Sequence, residues 1–126
     1  MDRTYLDVDR DSMAVSRMVE SMGMEGKHIA LIGTTTYQWI MSYFGIVGSG
    51  SVAVPIDAQL PADAVCELLE RADVEMLVFD EIRRDVAEAV KEKCPSVRYI
   101  LSMQAEEAAD GVQSLSMLTA LHAGEY

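Results

Sequence analysis

Four short apolar runs recur along the chain at nearly equal intervals. They begin at positions 28, 51, 75 and 97 and read HIALIG, SVAVP, EMLVFD and VRYIL. The runs are rich in β-branched residues, as expected for strands buried on both faces of a sheet. Each interval between starts, of 23, 24 and 22 residues, holds a segment with helical spacing. Strands that alternate with helices need crossover connections, so the sequence predicts a parallel sheet with helices on both sides.

The predicted fold class is therefore α/β, a small doubly wound, Rossmann- or flavodoxin-like parallel sheet of about four strands in the order 2-1-3-4. A helix at residues 6–22 is expected before the first strand, with Gly23 as its left-handed cap. Residues 102–113 are acidic and alanine-rich, which predicts a surface connection, and residues 114–124 predict a terminal helix that begins near Leu115.

The four predicted helices before that connection each carry an apolar stripe. The stripes comprise Val8, Val15, Val19 and Met22; Trp39, Ile40, Tyr43, Phe44 and Val47; Val65, Leu68, Leu69 and Ala72; and Ile82, Val86, Ala89 and Val90. Each stripe is expected to face the sheet.

Composition narrows the classes of function. Half of the 126 residues are apolar, enough for one domain with a core. The formal net charge of −11 argues against binding to nucleic acid or anionic lipid, which need Lys and Arg to neutralise phosphate. The acidic N-terminus does not resemble a signal peptide, and no apolar stretch reaches the roughly 18 residues of a membrane span. We expect a soluble cytoplasmic protein in which Cys66 and Cys94, which lack metal or redox spacing, are reduced thiols.

The segment Gly33-Thr34-Thr35-Thr36, after the first strand, has the appearance of a phosphate-binding loop. A phosphate cradle uses several glycines and commonly a lysine, whereas this loop has one glycine and no lysine. Thr35 and Gln38 instead have the spacing of a capping box at a helix start. We interpret the segment as a turn and cap; a weak anion site at the helix N-terminus is the alternative.

Four other residues are candidates for chemistry. Asp57 follows the second strand, where ligand-facing loops of parallel sheets emerge, but lies between two prolines as a turn residue would. Asp80 ends the third strand, as in the phospho-acceptor site of receiver domains, yet the acidic pair required after the first strand is replaced by Gly33 and Thr34. His28 and His122 have no nearby Cys or second His and are interpreted as structural or solvent-facing.

Residues 4 to 101 resemble the N-terminal segment of the adenylate-forming, AMP-binding acyl-CoA synthetase family. The resemblance rests on Thr4-Tyr5 and, in order and spacing, on the stretches YQWI, GSGSVAVPID and LPAD. The aromatic helix with YFGIV is similar to that of the long-chain fatty-acid CoA ligase branch.

The resemblance implies a parent enzyme that uses ATP and Mg²⁺ to convert a carboxylate to an acyl-adenylate and then transfers the acyl group to CoA. The family's phosphate loop, adenine-binding aromatic, ribose-binding Asp, magnesium-binding Glu, hinge and catalytic Lys have no counterparts in this sequence. We therefore assign no catalytic, cofactor-binding or metal-binding residue to this chain.

Two functional hypotheses follow. In the first, residues 1–126 are a single N-terminal subdomain, a fragment of a longer synthetase, and the remainder of that chain is the partner. In the second, the chain is a free-standing binding or scaffold module with the same fold. Truncation would expose surfaces meant for burial, so we expect a homodimer through the helix at residues 6–22 and through Leu115, Leu118 and Leu121.

Overall fold

The computed structural model describes residues 5–33, 37–105 and 111–120. The helices are α1 (Tyr5–Ser21), α2 (Tyr37–Gly48), α3 (Ala62–Arg71), α4 (Arg84–Lys93) and α5 (Leu115–Ala120). The strands are β1 (His28–Ile32), β2 (Val52–Ile56), β3 (Val74–Phe79), β4 (Tyr99–Ser102) and β5 (Gln113–Ser114). A 3₁₀ turn at Glu81–Arg83 precedes α4.

The strands form one parallel sheet in the order β2-β1-β3-β4-β5. The α/β doubly wound architecture and the predicted order of the first four strands are confirmed. β5 was missed because a strand of two polar residues carries no apolar pattern, and its pairing, Leu101 with Gln113, depends on contact with β4. The predicted surface connection at 102–113 was wrong at its ends, since Ser102 and Gln113 lie in strands and Met103 is buried.

Alternate side chains of β1 point into two separate cores. Ile29 and Leu31 pack with α1, α2 and α5 on one face of the sheet. Ala30 and Ile32 pack with α3 and α4 on the other face. This two-sided burial explains why the strand is apolar at successive positions rather than at every second one.

Helix α1 uses the predicted apolar face. Val15 and Val19 are buried and Met22 is partly buried in the same core, while the side chain of Val8 lies outside the described residues. Gly23 has φ +72°, and the N–H of Met24 donates to the carbonyl of Val19 at 3.0 Å. The prediction of a left-handed glycine cap is confirmed.

Helix α2 follows the predicted face only in part, since Trp39 and Tyr43 are partly buried and pack against the core while other members of the predicted stripe are exposed. Phe44 and Val47 are 53% and 49% exposed, whereas Ser42, Gly45 and Ile46 are buried. The reason is the close approach of α1: the Ser16 hydroxyl donates to the Gly45 carbonyl at 2.6 Å. Small residues admit the neighbouring helix, so the most deeply buried residues of α2 are Ser42, Gly45 and Ile46, and Phe44 and Val47 are left exposed.

The stripes of α3 and α4 are largely as predicted. Val65 and Leu69 of α3 and Val86 and Val90 of α4 are buried in one core, with Ala72 and Ala89 partly buried against it. Two members were wrong: Leu68 lies at the margin of the buried face of α3, and Ile82 lies in the 3₁₀ turn, outside α4. Both are exposed.

The two surfaces predicted to be bare are covered by the chain itself. Val15 and Val19 of α1 lie in the core together with Leu115 of α5, and Leu118 packs against it. Leu121 lies outside the described residues. Val15, Val19 and Leu115 are therefore not available for a dimer contact, whereas Met13 of α1 and Met117 of α5 are exposed, and a homodimer through these helices stays a prediction. Exposed large apolar side chains also lie on α2 and on β2, where Val52 is 48% exposed.

Candidate functional site

The carboxyl ends of the strands meet at one edge of the sheet, which is where open α/β sheets place their ligands. Gly33 follows β1, Asp57 follows β2, Asp80 follows β3 and Met103 follows β4. Two residues weighed from the sequence, Gly33 and Asp80, are brought together there. Asp57 lies beyond the neighbouring strand β2 and does not join them in the contacts described below.

Gly33 lies close to Asp80, the first residue after β3. The N–H of Asp80 donates to the carbonyl of Ile32 at 2.9 Å. Gly33 has φ +147°, and a Cβ atom added to it would lie 2.4 Å from the Asp80 Cβ. This glycine is therefore required by a positive φ and by a close contact with protein. Thr34, Thr35 and Thr36 lie outside the described residues, so the capping box with Gln38 stays a prediction.

The carboxylates of Asp57 and Asp80 each accept a hydrogen bond from the backbone N–H two residues further along the chain. The Asp57 carboxylate accepts from the N–H of Gln59 at 2.8 Å, two residues on in an exposed loop. The Asp80 carboxylate is buried and accepts from the N–H of Ile82 at 3.1 Å, which caps the 3₁₀ turn. The interpretation of Asp57 as a turn residue is confirmed.

A cluster around Glu81 was not predicted from the sequence. Its carboxylate accepts two hydrogen bonds from Arg84, at 3.0 and 3.1 Å, and one from the Ser102 hydroxyl at 2.5 Å. Its N–H donates to the side-chain carbonyl of Gln104 at 2.8 Å. The only sequence signal was the three-residue spacing of Glu81 and Arg84, since Ser102 and Gln104 come from another strand end.

The Glu81 cluster continues to the last strand. The Ser102 hydroxyl accepts from the N–H of Ala105 at 3.0 Å, and the Ser114 hydroxyl donates to the carbonyl of Ala105 at 2.6 Å. Ser114 also accepts from the N–H of Met117 at 3.1 Å and so supports the start of α5. The hydrogen bonds of the cluster thus join the ends of β3, β4 and β5, and this geometry indicates a structural role.

Arg83 forms a second set of hydrogen bonds at the same edge of the sheet. It donates to the carbonyl of Ala58 at 2.7 Å and, with two nitrogens, to the Asp85 carboxylate at 3.0 Å. The hydrogen bond from Arg83 lowers the pKa of the Asp85 carboxyl, and the interaction raises the pKa of Arg83. Arg83 thereby links the loop after β2 to the start of α4.

The remaining residues weighed from the sequence have structural positions. His28 contacts the carbonyl of Ala72 through Nδ1, which ties the start of β1 to the end of α3. His122 lies outside the described residues. Cys66 and Cys94 are free and buried, and their reduced state in the cell stays a prediction. Within residues 5–33, 37–105 and 111–120, no group of three or more His, Cys, Asp or Glu residues is arranged to hold a metal ion.

We expect Glu81→Gln to lower the free energy of unfolding by about 1 kcal/mol. The substitution removes the negative charge of a partly buried carboxylate that accepts hydrogen bonds from Arg84 and Ser102. The matched control is Glu88→Gln, which removes an exposed partner of the same arginine, Arg84, at a cost below about 0.5 kcal/mol. Urea denaturation of both variants measures the difference. Equal costs would show that the cluster is no more than a surface ion pair.

Across the described residues, no helix is long and apolar enough to cross a membrane.

The chain is similar to enzymes that are several times longer. It is 28% identical over 97 residues to the nonribosomal peptide synthetase echPS of Aspergillus ruber, covering 75% of this chain and 5% of that protein. It is 23% identical over 109 residues to a long-chain-fatty-acid–CoA ligase of Thermus thermophilus, covering 86% of this chain and 20% of that protein. The chain therefore spans a fifth or less of the length of these relatives.

The fold is also that of a solved enzyme. The anthranilate CoA ligase AuaEII, determined in complex with anthranoyl-AMP, superposes with a TM-score of 0.89 at 20% identity. The superposition covers 97% of this chain and 24% of the ligase.

The profile of the AMP-binding enzyme family matches residues 2–120, nearly the whole chain. The names of these proteins include a peptide synthetase, a fatty-acid ligase and an anthranilate ligase, so the long-chain branch inferred from YFGIV is not specific to this chain. This chain belongs to the AMP-binding enzyme family.

Proposed function

We propose that this chain is the N-terminal structural subdomain of an ATP-dependent acyl-activating enzyme of the acyl-CoA synthetase type. The parent reaction joins a carboxylate to ATP, with Mg²⁺, to give an acyl-adenylate and pyrophosphate, and then forms a thioester with CoA. The observation that carries the proposal is the family match across residues 2–120 together with coverage of a fifth or less of the relatives. The cytoplasm, where ATP and CoA are available and thiols stay reduced, is the proposed location.

The polar groups of the sheet edge support a structural role. Adenylation needs a dication and fixed positive charge to stabilise phosphate as negative charge develops. At this edge Arg83 is bound to Asp85 and Ala58, and Arg84 is bound to Glu81. Their positive charges are directed at protein carboxylates. The subdomain supplies a rigid layer against which the catalytic parts of a longer chain pack.

The exposed side of α2 supports a partner that is the remainder of the synthetase. Trp39 and Tyr43 stack with ring centroids 5.5 Å apart, and Phe44 meets Tyr43 edge to face at 5.9 Å. Phe44 and Val47 of α2 and Val52 of the edge strand β2 are about half exposed. Apolar surface of this kind is typical of contacts that a larger assembly buries.

The second candidate function, a free-standing binding module, is favoured by the same exposed side chains. In that case Phe44, Val47 and Val52 would hold a separate protein or a second copy of the chain, against a net charge of −11 that opposes self-association. The transcript distinguishes the candidates: a reading frame that continues into the remainder of a synthetase supports the subdomain, and one without it supports the module.

We expect the 126-residue chain to bind MgATP too weakly to detect at micromolar concentrations and to catalyse no exchange of pyrophosphate into ATP with fatty or aromatic acids. Isothermal titration calorimetry and an exchange assay measure the two properties. A full-length family member, such as the Thermus thermophilus ligase, serves as the positive control in the same buffers. Micromolar affinity of this chain for MgATP would show that it carries a nucleotide site of its own and would overturn the structural role.

A further inference from the structure

The fold brings together two cysteines that lie far apart in the sequence. Cys66 lies in α3 and is 4% exposed, and Cys94 follows the last residue of α4 and is 2% exposed. The Cys94 sulfur lies 3.8 Å from the carbonyl oxygen of Cys66. Both side chains belong to the core between the sheet and the two helices.

The position of Cys94 is held from several directions. Its N–H donates to the carbonyl of Val90 at 2.9 Å, and its carbonyl accepts from Val97 at 3.1 Å. The neighbouring Lys93 pairs with Asp63 in the first turn of α3, with Nζ and Oδ1 2.7 Å apart. The close approach of Cys94 to Cys66 is therefore part of the packing of α3 against the end of α4.

We propose that Cys66 and Cys94 are a modification site, at which a hydroperoxide oxidises the thiol pair to an intramolecular disulfide between α3 and the end of α4. A small neutral oxidant suits this place because both sulfurs are almost inaccessible to a larger disulfide reagent. The inference does not depend on the proposed function.

The reaction is a two-electron oxidation in two steps. The Cys66 sulfur attacks one peroxide oxygen, the O–O bond breaks, a sulfenic acid forms and water leaves with the thiol proton. The Cys94 sulfur then attacks the sulfenic sulfur, the S–O bond breaks, the S–S bond forms and a second water leaves. Two thiols and one hydrogen peroxide thus give one disulfide and two waters.

The order of the steps follows from the surroundings of Cys94. Burial, together with the Cys66 thiol, raises the pKa of Cys94 to about 12, so Cys94 remains a thiol at neutral pH. We therefore assign the first attack to Cys66 and the resolving step to Cys94. Oxidation is expected to be slow at neutral pH and faster in alkaline buffer.

The disulfide would close a loop of roughly 30 residues that contains the central strand β3. Restricting that loop in the unfolded chain is expected to raise the Tm by roughly 10 °C.

The test treats the folded full chain with hydrogen peroxide at pH 8 and measures free thiols in denaturant, the peptides joined after digestion, and the Tm. We expect loss of both thiols, one disulfide that joins the Cys66 and Cys94 peptides, reversal by dithiothreitol and the higher Tm. Thiols that stay free, or disulfides that form only between molecules, would overturn the proposal.

Matched variants test the dependence on position. Cys94→Ser leaves Cys66 without its resolving partner, and we expect a sulfenic acid that dimedone traps. Combining Cys94→Ser with Ser96→Cys moves the second thiol to an exposed position in the turn after α4, and we expect the intramolecular disulfide to be lost. An equal yield from the relocated thiol would show that chain proximity, rather than the packed pair, directs the reaction.

Discussion

Gly33→Ala is expected to lower the free energy of unfolding by roughly 4 kcal/mol, the largest effect of any single methyl group considered for this chain. Two costs add: a backbone at φ +147° that a residue with a side chain adopts only under strain, and a Cβ atom 2.4 Å from the Asp80 Cβ. Neither Cβ can rotate away, because both are attached directly to the backbone where the ends of β1 and β3 meet. Urea or thermal unfolding measures the loss.

Gly23→Ala is the control for the backbone part of this cost. Gly23 also has a positive φ, +72°, but among the described residues nothing lies within 4 Å of an added Cβ. Its substitution should cost about 1 kcal/mol. Asp80→Gly, combined with Gly33→Ala, should recover about 1–2 kcal/mol of the sum of the single losses, because it removes the opposing Cβ. Additive losses would contradict the contact.

Gly45→Ala should lower the free energy of unfolding by about 3 kcal/mol, although alanine is the better helix former. The added Cβ would lie 2.4 Å from the Val15 Cβ and 2.7 Å from the backbone oxygen of Ser12. Backbone atoms of α1 cannot yield without moving the helix, and α1 carries Val15, Met18 and Val19 into the core. Circular dichroism during chemical denaturation measures the loss.

Gly48→Ala, one turn further along α2, is the matched control for Gly45. Its added Cβ would meet the Ser16 hydroxyl at 3.1 Å, the end of a side chain that needs to move by only a few tenths of an ångström. The result should lie within about 1 kcal/mol of the unsubstituted protein, as the helix propensity of alanine offsets the small adjustment. If the two substitutions cost the same, α1 does not approach α2 at Gly45 as described.

The sheet edge could be predicted only in part. Asp57 acts as a turn residue, as its place between two prolines indicates, because an Asx turn depends on neighbours two residues away. The Glu81 cluster joins groups 21 and 23 residues apart, at Ser102 and Gln104. These contacts cannot be predicted from local sequence patterns, because they arise from the pairing of β3 with β4.

The sequence by itself determined the strands, their parallel arrangement and the order of the first four. Strands buried on both faces must be apolar at successive positions, and right-handed crossovers then restrict the order, so the information is local and periodic. Only the tertiary structure decided that α2 buries Gly45 and leaves Phe44 and Val47 exposed, because α1 approaches too closely at Gly45 to leave room for a side chain. It also decided the pairing of β5 and the meeting of Cys66 with Cys94, since both depend on segments that come together only when the sheet is assembled.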